Sequence, residues 1–170
     1  MIVAFDGNVY TGKTTLIKLL SEKYGYNPID EHSFFVDLSD MKDSDRSTID
    51  VQERYIGVDI FRKKFVHGEI NLLDRSFVSV SAHVYALFRL GIEDIRKNYL
   101  DLLRKKVSEI LIPDRFVFVC CDYDTSQKRC VSVNNDKKAD ALLLSREYFE
   151  CIAKFNEKWI SMVNGYMIET

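Results

Sequence analysis

Residues 2–16 read IVAFDGNVYTGKTTL, and no other stretch limits the fold as strongly. Ile2, Val3 and Phe5 make a short apolar run closed by glycine, which predicts a buried strand. From Lys13 onward, Leu16, Leu19 and Leu20 share one helical face, and Gly25 stops the helix. Strand and helix are joined by Gly7-Asn8-Val9-Tyr10-Thr11-Gly12-Lys13-Thr14, with Thr15 directly after, and the join satisfies G-x-x-x-x-G-K-S/T in full. Each residue type there has a physical task. The glycines let the backbone curl so that successive N–H groups face one point. The start of the following helix adds a partial positive charge. Lys13 can reach the β- and γ-phosphates of a nucleotide, and the Thr14 hydroxyl can serve Mg²⁺. A plain Gly-rich turn with a surface lysine is the alternative, but it requires neither the buried strand before it nor the amphipathic helix after it. The segment is expected to cradle a nucleoside triphosphate.

The rest of the chain alternates strands and helices. NPIDE is a weak second strand, INLLD a third, RFVFVCC a fourth and GYMIE the last. One helix carries Val51, Tyr55, Val58, Arg62 and Phe65, with Asp50 as its expected cap and Gly68 near its end. Others are expected over 77–90, over 92–111 (ended by Pro113) and over 139–163, with a short polar helix and loop at 125–138. Residues 36–50 are polar and acidic and read as a mobile loop. Strands apolar on both faces that alternate with helices predict an α/β fold, a parallel sheet covered on both sides. Ligands of such sheets lie beyond the carboxyl ends of the strands. Asp6-Gly7, Asp30-Glu31, Asp74-Arg75 and Cys121-Asp122 all fall there.

Composition removes several classes of function. With 170 residues, 46% of them hydrophobic, the chain is expected to form one domain over 1–170. A net charge of −2 gives no field that favours DNA, RNA or anionic lipid, so neither nucleic acid nor membrane is an expected partner. Cys120, Cys121, Cys130 and Cys151 form no C-x-x-C pair and read as reduced thiols of a cytoplasmic protein. Asp6 breaks the first apolar run too early for a signal peptide. No run approaches the ~20 apolar residues of a membrane span.

The third strand ends in Asp74-Arg75-Ser76. Asp74 is placed to join Thr14 at Mg²⁺, directly or through water, and Arg75 can face the transferring or the acceptor phosphate. Alone, the pair would read equally as a helix-capping carboxylate beside a surface arginine. With the cradle, it makes the chain resemble the P-loop nucleoside and nucleotide kinases, meaning thymidylate kinase and its deoxynucleoside kinase relatives. FDGNVYTGKTT is similar to that family's F-E-G-x-x-x-x-G-K-S/T-T, with Asp6 for the usual Glu. Asp74-Arg75-Ser76 resembles both the D-R-Y of thymidylate kinases and the E-R-S of deoxynucleoside kinases. Ser79 and Ala82 fit D-R-Y-x-x-S-x-x-A-Y-Q, in which His83 and Val84 replace Tyr-Gln. PDRFVFVCCDYDTSQKRC resembles the family's fourth strand and the start of its lid. The resemblance implies a three-layer P-loop NTPase fold with a five-stranded parallel sheet flanked by helices, and ATP with Mg²⁺ as donor. It also implies an acceptor pocket between the second and third helices, a small lid at about 125–138, and a homodimer through the helices around 51–68 and 77–90. The lid holds Lys128, Arg129, Lys137 and Lys138, of which Arg129 is the best match for a catalytic cation, with a solvated helix face as its alternative.

The acceptor is read at the end of the second strand. A nucleoside's 5′-hydroxyl must lose a proton, so a carboxylate base helps. A nucleoside monophosphate attacks through an oxygen that is already anionic, and arginines serve it instead. NPIDEHSFF offers Asp30 and Glu31 and no arginine, which favours a nucleoside and resembles the P-E-P of deoxynucleoside kinases. Glu31 is the candidate base and Asp30 its reserve. Gln52 can make the paired amide contact to a base that deoxynucleoside kinases use, Arg62 can reach an acceptor phosphate, and Phe34, Phe35, Tyr55, Phe77 and Tyr85 can line a base pocket. Ordinary helix surface and core are the plainer readings of those residues. The expected function is transfer of the γ-phosphate of Mg-ATP to a nucleoside or nucleoside monophosphate. A P-loop kinase for another small acceptor and a non-catalytic nucleotide-binding regulatory module are the alternatives.

Overall fold

Ile2–Asp6 (β1), Asn27–Ile29 (β2), Asn71–Asp74 (β3), Arg115–Cys120 (β4) and Tyr166–Glu169 (β5) form one sheet in the order β2-β3-β1-β4-β5. Every neighbouring pair is parallel. The computed structural model describes residues 1–36, 48–133 and 141–170. In the register of β1, Phe5 lies opposite Asp74 and Asp6 opposite Phe118, so the carboxyl ends of β1, β3 and β4 reach one edge together.

Among the described residues six α-helices cover the sheet: Lys13–Tyr24 (α1), Ile49–Phe61 (α2), Phe77–Arg89 (α3), Arg96–Lys106 (α4), Tyr123–Val133 (α5) and Arg146–Val163 (α6). Alternation along β1 divides its side chains between two cores. Phe5 and Val3 pack with Ile17 of α1, Leu72, Val117 and Val119 on one face. Ala4 and Ile2 face Ile29, Leu73 and Leu111 on the other. Outside that second face, α2, α3 and α4 close around Ile56, Val80, Val84, Leu87 and Tyr99. Ala82 and Ala86 of α3 let α6 approach, and Tyr148 and Ile152 pack against them.

Element ends follow their capping chemistry, and several differ from the expectation: α2 gives way after Phe61 to a 3₁₀ turn over Arg62–Phe65 instead of running on to near Gly68. Gly25, at φ 71°, ends α1 by donating its N–H to the Ser21 carbonyl. Thr48, not Asp50, holds the N-cap position of α2, and Asp50 lies in its first turn. α4 starts only at Arg96, after a turn at 90–91, and ends at Lys106 rather than at 111. α6 starts at Arg146 rather than 139, because Ser145 caps it by accepting from the Tyr148 N–H at 3.2 Å. Of the segment read as a mobile loop, 37–47 lie outside the described residues, as do 134–138 of the lid segment with Lys137 and Lys138, and 139–140 after it.

Candidate active site

The cradle is shaped by backbone positions that only certain residues tolerate. Gly7 turns out of β1 at φ 139°, and a Cβ there would stand 2.3 Å from the Val119 carbonyl oxygen of β4. Gly12 opens α1 at φ 89°, and a Cβ there would make only ordinary contacts, with Arg129 Nη1 at 3.8 Å and Thr170 Oγ1 at 4.0 Å, so conformation rather than room demands glycine. Tyr10 takes φ 56° without being glycine, a strained state that collects at functional sites. Gly7→Ala is expected to lower stability by about 1–3 kcal/mol, since β4 backbone must yield and a non-glycine residue must hold a positive φ. Thermal denaturation measures it, and an unchanged midpoint would show that the loop rearranges freely.

Two cradle side chains turn inward. Asn8 donates from Nδ2 to the Phe149 carbonyl at 3.1 Å, and Thr11 donates from Oγ1 to the Asn8 carbonyl at 3.1 Å. Lys13 is buried and donates from Nζ to the same Asn8 carbonyl and, at 3.4 Å, to Thr11 Oγ1. Burial, and then the charge of Arg75, push the Lys13 ammonium down to about 7, while Asp74, Glu31 and Asp6 pull it upward less strongly. An anion set in the cradle would restore the charge that burial opposes. Thr14 donates from Oγ1 to Asp74 Oδ2 at 2.6 Å. The other oxygen of Asp74, Oδ1, is buried without a partner. Among the described residues no cluster of three or more His, Cys, Asp and Glu side chains could hold a metal alone. A hydroxyl beside a half-unsatisfied carboxylate fits a Mg²⁺ that takes its remaining ligands from phosphates and water.

Asp6 is absorbed elsewhere. It accepts from the Ser76 N–H at 2.9 Å, the Ser76 hydroxyl at 2.8 Å and the Ser79 hydroxyl at 2.6 Å, and so ties β1 to the start of α3. The sequence places Asp6 at a strand end beside the other charged groups, as the replacement for the family's Glu, but does not reveal this structural role. The signal available was a strand-end carboxylate in a chain whose Ser76 opens the helix after the adjacent strand.

Arg75 adopts φ 61° and reaches two elements. Its Nη1 donates to the Gly7 carbonyl at 3.1 Å and its Nε to Glu31 Oε2 at 2.9 Å. Ser33 donates to the other Glu31 oxygen at 2.6 Å. Burial works to raise the Glu31 carboxyl, but the charge of Arg75 and the hydrogen bonds from Ser33 and Arg75 outweigh it and hold the group below its ordinary range. Burial likewise opposes the Arg75 charge, and Glu31 with Asp74 more than offsets it. Asp30 is exposed and presents only its carbonyl inward, to Arg62.

Two cavities meet at this ion pair. The larger, about 840 Å³, is lined by Tyr10, Gly12, Lys13, Thr14 and Thr15 of the cradle and by Arg129. The smaller, about 280 Å³, lies between α2 and α3 and is lined by Gln52, Tyr55, Ser79 and His83 among others. Val9, Glu31 and Arg75 line both. Arg129 of α5 donates to Thr170 Oγ1 at 3.0 Å, and Thr170 donates to the Thr11 carbonyl at 2.8 Å. Lys128 is exposed and lines neither cavity.

The remaining expectations divide. Tyr55 reaches the smaller cavity and Phe34 the edge of the larger. Phe35 instead packs with Phe61 and Phe65, Phe77 with Phe116 and Trp159, and Tyr85 with Phe155. Arg62 does not reach out for a phosphate. It is 0% exposed and donates to the carbonyls of Asp30, Asp74 and Arg75 and to Asp59 Oδ1. Tyr148 and Leu143 line the smaller cavity from beyond the lid segment and were not anticipated.

The family model for deoxynucleoside kinases matches residues 3–169. The solved structure of deoxyadenosine kinase from M. mycoides with bound dATP superposes with a TM-score of 0.77 at 20% identity, covering 100% of this chain and 90% of that one. The same enzyme with its products dCMP and a flexible dCDP gives 0.76 at 18% identity, with the same coverage. Thymidylate kinase from Candida albicans gives 0.69 at 11% identity, covering 99% of this chain and 82% of that one. No curated protein matches the sequence. The superpositions agree with the three-layer architecture of a parallel sheet between helices, and the match over 3–169 supplies the lineage: the chain belongs to the deoxynucleoside kinase family and is a nucleoside kinase.

Proposed function

We propose that the protein moves the γ-phosphoryl group of Mg-ATP to the 5′-hydroxyl of a deoxynucleoside. The observation that carries this reading is the Glu31–Arg75 pair at the junction of the two cavities, with the Nε–Oε2 contact at 2.9 Å. The larger cavity takes the donor. Its backbone N–H groups, Lys13 and Arg129 face the phosphates, and Thr14 with Asp74 would hold Mg²⁺. When bound, that ion neutralises charge on the phosphate oxygens. The smaller cavity takes the acceptor, with its 5′-oxygen toward Glu31.

The residues then divide the work. Glu31 accepts the proton of the 5′-hydroxyl as that oxygen forms its bond to the γ-phosphorus. The bond from γ-phosphorus to the bridging oxygen breaks and ADP leaves. Arg75, already anchored on the Gly7 carbonyl, stabilises charge on the group in transit. Held below its ordinary range, Glu31 is anionic and ready at neutral pH. A monophosphate acceptor would need cations in the smaller cavity, where Arg62 is unavailable and Arg75 is already paired. We take α5 as the root of the small lid at about 125–138, on a single domain over 1–170. Ser126 of α5 donates to the Val9 carbonyl at 3.1 Å, which sets that helix against the cradle. The partner in this reading is a small molecule in a cytoplasmic protein that pairs as a homodimer through α2 and α3. Among the described residues no helix is long and apolar enough to cross a membrane.

A coupled ADP-release assay with Mg-ATP and a panel of deoxynucleosides and their 5′-monophosphates tests the reading. ADP release that requires a nucleoside is expected. Release with monophosphates but not nucleosides would overturn the role of Glu31, and release with neither would move another small acceptor or a regulatory role to the front.

A further inference from the structure

The smaller cavity has a polar contact in its wall that phosphoryl transfer does not use. His83 of α3 and Tyr148 of α6 both line it, and His83 Nδ1 lies 2.9 Å from the Tyr148 hydroxyl. Both partners are held in place. Tyr148 is 6% exposed, with its N–H on the Ser145 cap of α6 at 3.2 Å. The carbonyl of the next residue, Phe149, accepts from Asn8 of the cradle at 3.1 Å. Ala82 and Ala86, on either side of His83 in α3, permit the close approach of α6 that brings the two rings to 5.8 Å. The pair therefore closes the cavity where α3, α6 and the cradle converge.

Its position selects what it can meet. His83 is six residues beyond Phe77, the first residue of α3, about 9 Å along the axis at 1.5 Å per residue. An acceptor with its 5′-oxygen at Glu31 would bring its base or sugar, not the reacting oxygen, to His83 and Tyr148. A neutral imidazole carries one N–H and one lone pair, and the partner on one nitrogen decides which the other offers. When the Tyr148 hydroxyl donates to Nδ1, Nε2 carries the proton. When Nδ1 donates, Nε2 is an acceptor and the phenol keeps its own donor. Such a pair discriminates by hydrogen-bond polarity, which apolar walls do weakly.

We propose that His83 and Tyr148 act as one unit that sets acceptor specificity by reading the polar edge of the nucleoside. This rests on the nucleoside acceptor proposed above. The test measures kcat/KM for deoxyadenosine, deoxycytidine, deoxyguanosine and thymidine with the full chain and with its His83→Phe, Tyr148→Phe and double variants. Either single change is expected to shift the ratio between acceptors with a 6- or 4-amino group (deoxyadenosine, deoxycytidine) and those with a 6- or 4-oxo group (deoxyguanosine, thymidine) by about tenfold or more. The shift should lie in the acceptor KM, with the KM for ATP unchanged. The double variant should discriminate like the more affected single one, because one unit has been removed. A ratio measured on one preparation does not depend on how much of it is folded, so a poorly folding variant cannot imitate the effect. Ratios unchanged in both single variants, or an equal loss on all four acceptors, would overturn the proposal. Failure of the unaltered protein on every nucleoside would instead overturn the acceptor reading, and this proposal with it.

Discussion

Glu31→Gln is expected to lower kcat for the nucleoside acceptor by about 10²–10⁴-fold, the usual worth of a positioned general base. The amide keeps the shape of the side chain and one oxygen for Arg75, so the acceptor KM should change little. Asp30→Asn, one residue away but exposed, should leave kcat within about twofold, as surface changes remote from the chemistry generally do. Steady-state kinetics on the two variants separates the carboxylates that the sequence left as alternatives. The pH dependence has a definite sign. Burial raises the Glu31 carboxyl, but Arg75 and Ser33 bring it below its ordinary range, so the folded group is depressed. The stability contributed by the Glu31–Arg75 pair is therefore present above the unfolded glutamate range and lost as pH falls through the lower folded value. Activity that depends on ionised Glu31 should likewise hold from neutral pH downward and fail only below the ordinary carboxylate range. A loss of kcat smaller than tenfold in Glu31→Gln would remove the base role and leave Glu31 as the partner that orients Arg75.

The parts legible in the sequence were those written locally. The cradle, its flanking strand and helix, and Asp74-Arg75 each follow from patterns a few residues long. The alternation of apolar strands with helices specifies a parallel sheet but not the order β2-β3-β1-β4-β5 of its strands. What stayed illegible depended on which way a side chain turns once distant elements pack. Asp30 and Glu31 are neighbours at a strand end, and only the path of the chain into 32–34 decides which faces Arg75 and which faces solvent. Phe77, Tyr85 and His83 of α3 all meet α6, but Phe77 and Tyr85 pack against Trp159 and Phe155, whereas His83 meets Tyr148 at the cavity wall. His83 and Tyr148 are separated by 65 positions and meet only through the close packing of α3 on α6. The alanines that permit that approach look unremarkable in a helical stripe.

Arg62 shows the same limit most sharply, and Arg62→Met is expected to destabilise the protein by about 3–5 kcal/mol, the range for removing one partner of a buried pair. Arg62 sits on the helical stripe of Val51, Tyr55, Val58 and Phe65, where an arginine reads as a surface group or a ligand. Its partners are mostly backbone carbonyls, which no side-chain pattern reveals. Nη1 donates to the Asp30 and Asp74 carbonyls, both at 2.9 Å, and Nη2 to the Arg75 carbonyl at 2.7 Å and to Asp59 Oδ1. One guanidinium thus joins the ends of β2 and β3, the two points from which Glu31 and Arg75 project. Methionine would fill the volume but leave three carbonyls and the fully buried Asp59 without that donor. Arg62→Lys should recover only part of the loss, since one ammonium cannot reproduce the planar fork. Adding Asp59→Leu to Arg62→Met should also recover part of it, because the stranded charge is then gone. Urea unfolding measures all three, with a shifted midpoint and an unchanged slope as the sign of a true stability change. If Arg62→Met loses less than about 1 kcal/mol, the value typical of an exposed pair, another contact holds the two strand ends. If the loss is as large as expected, the residue that looked able to reach an acceptor phosphate is instead the one that keeps Glu31 and Arg75 facing each other.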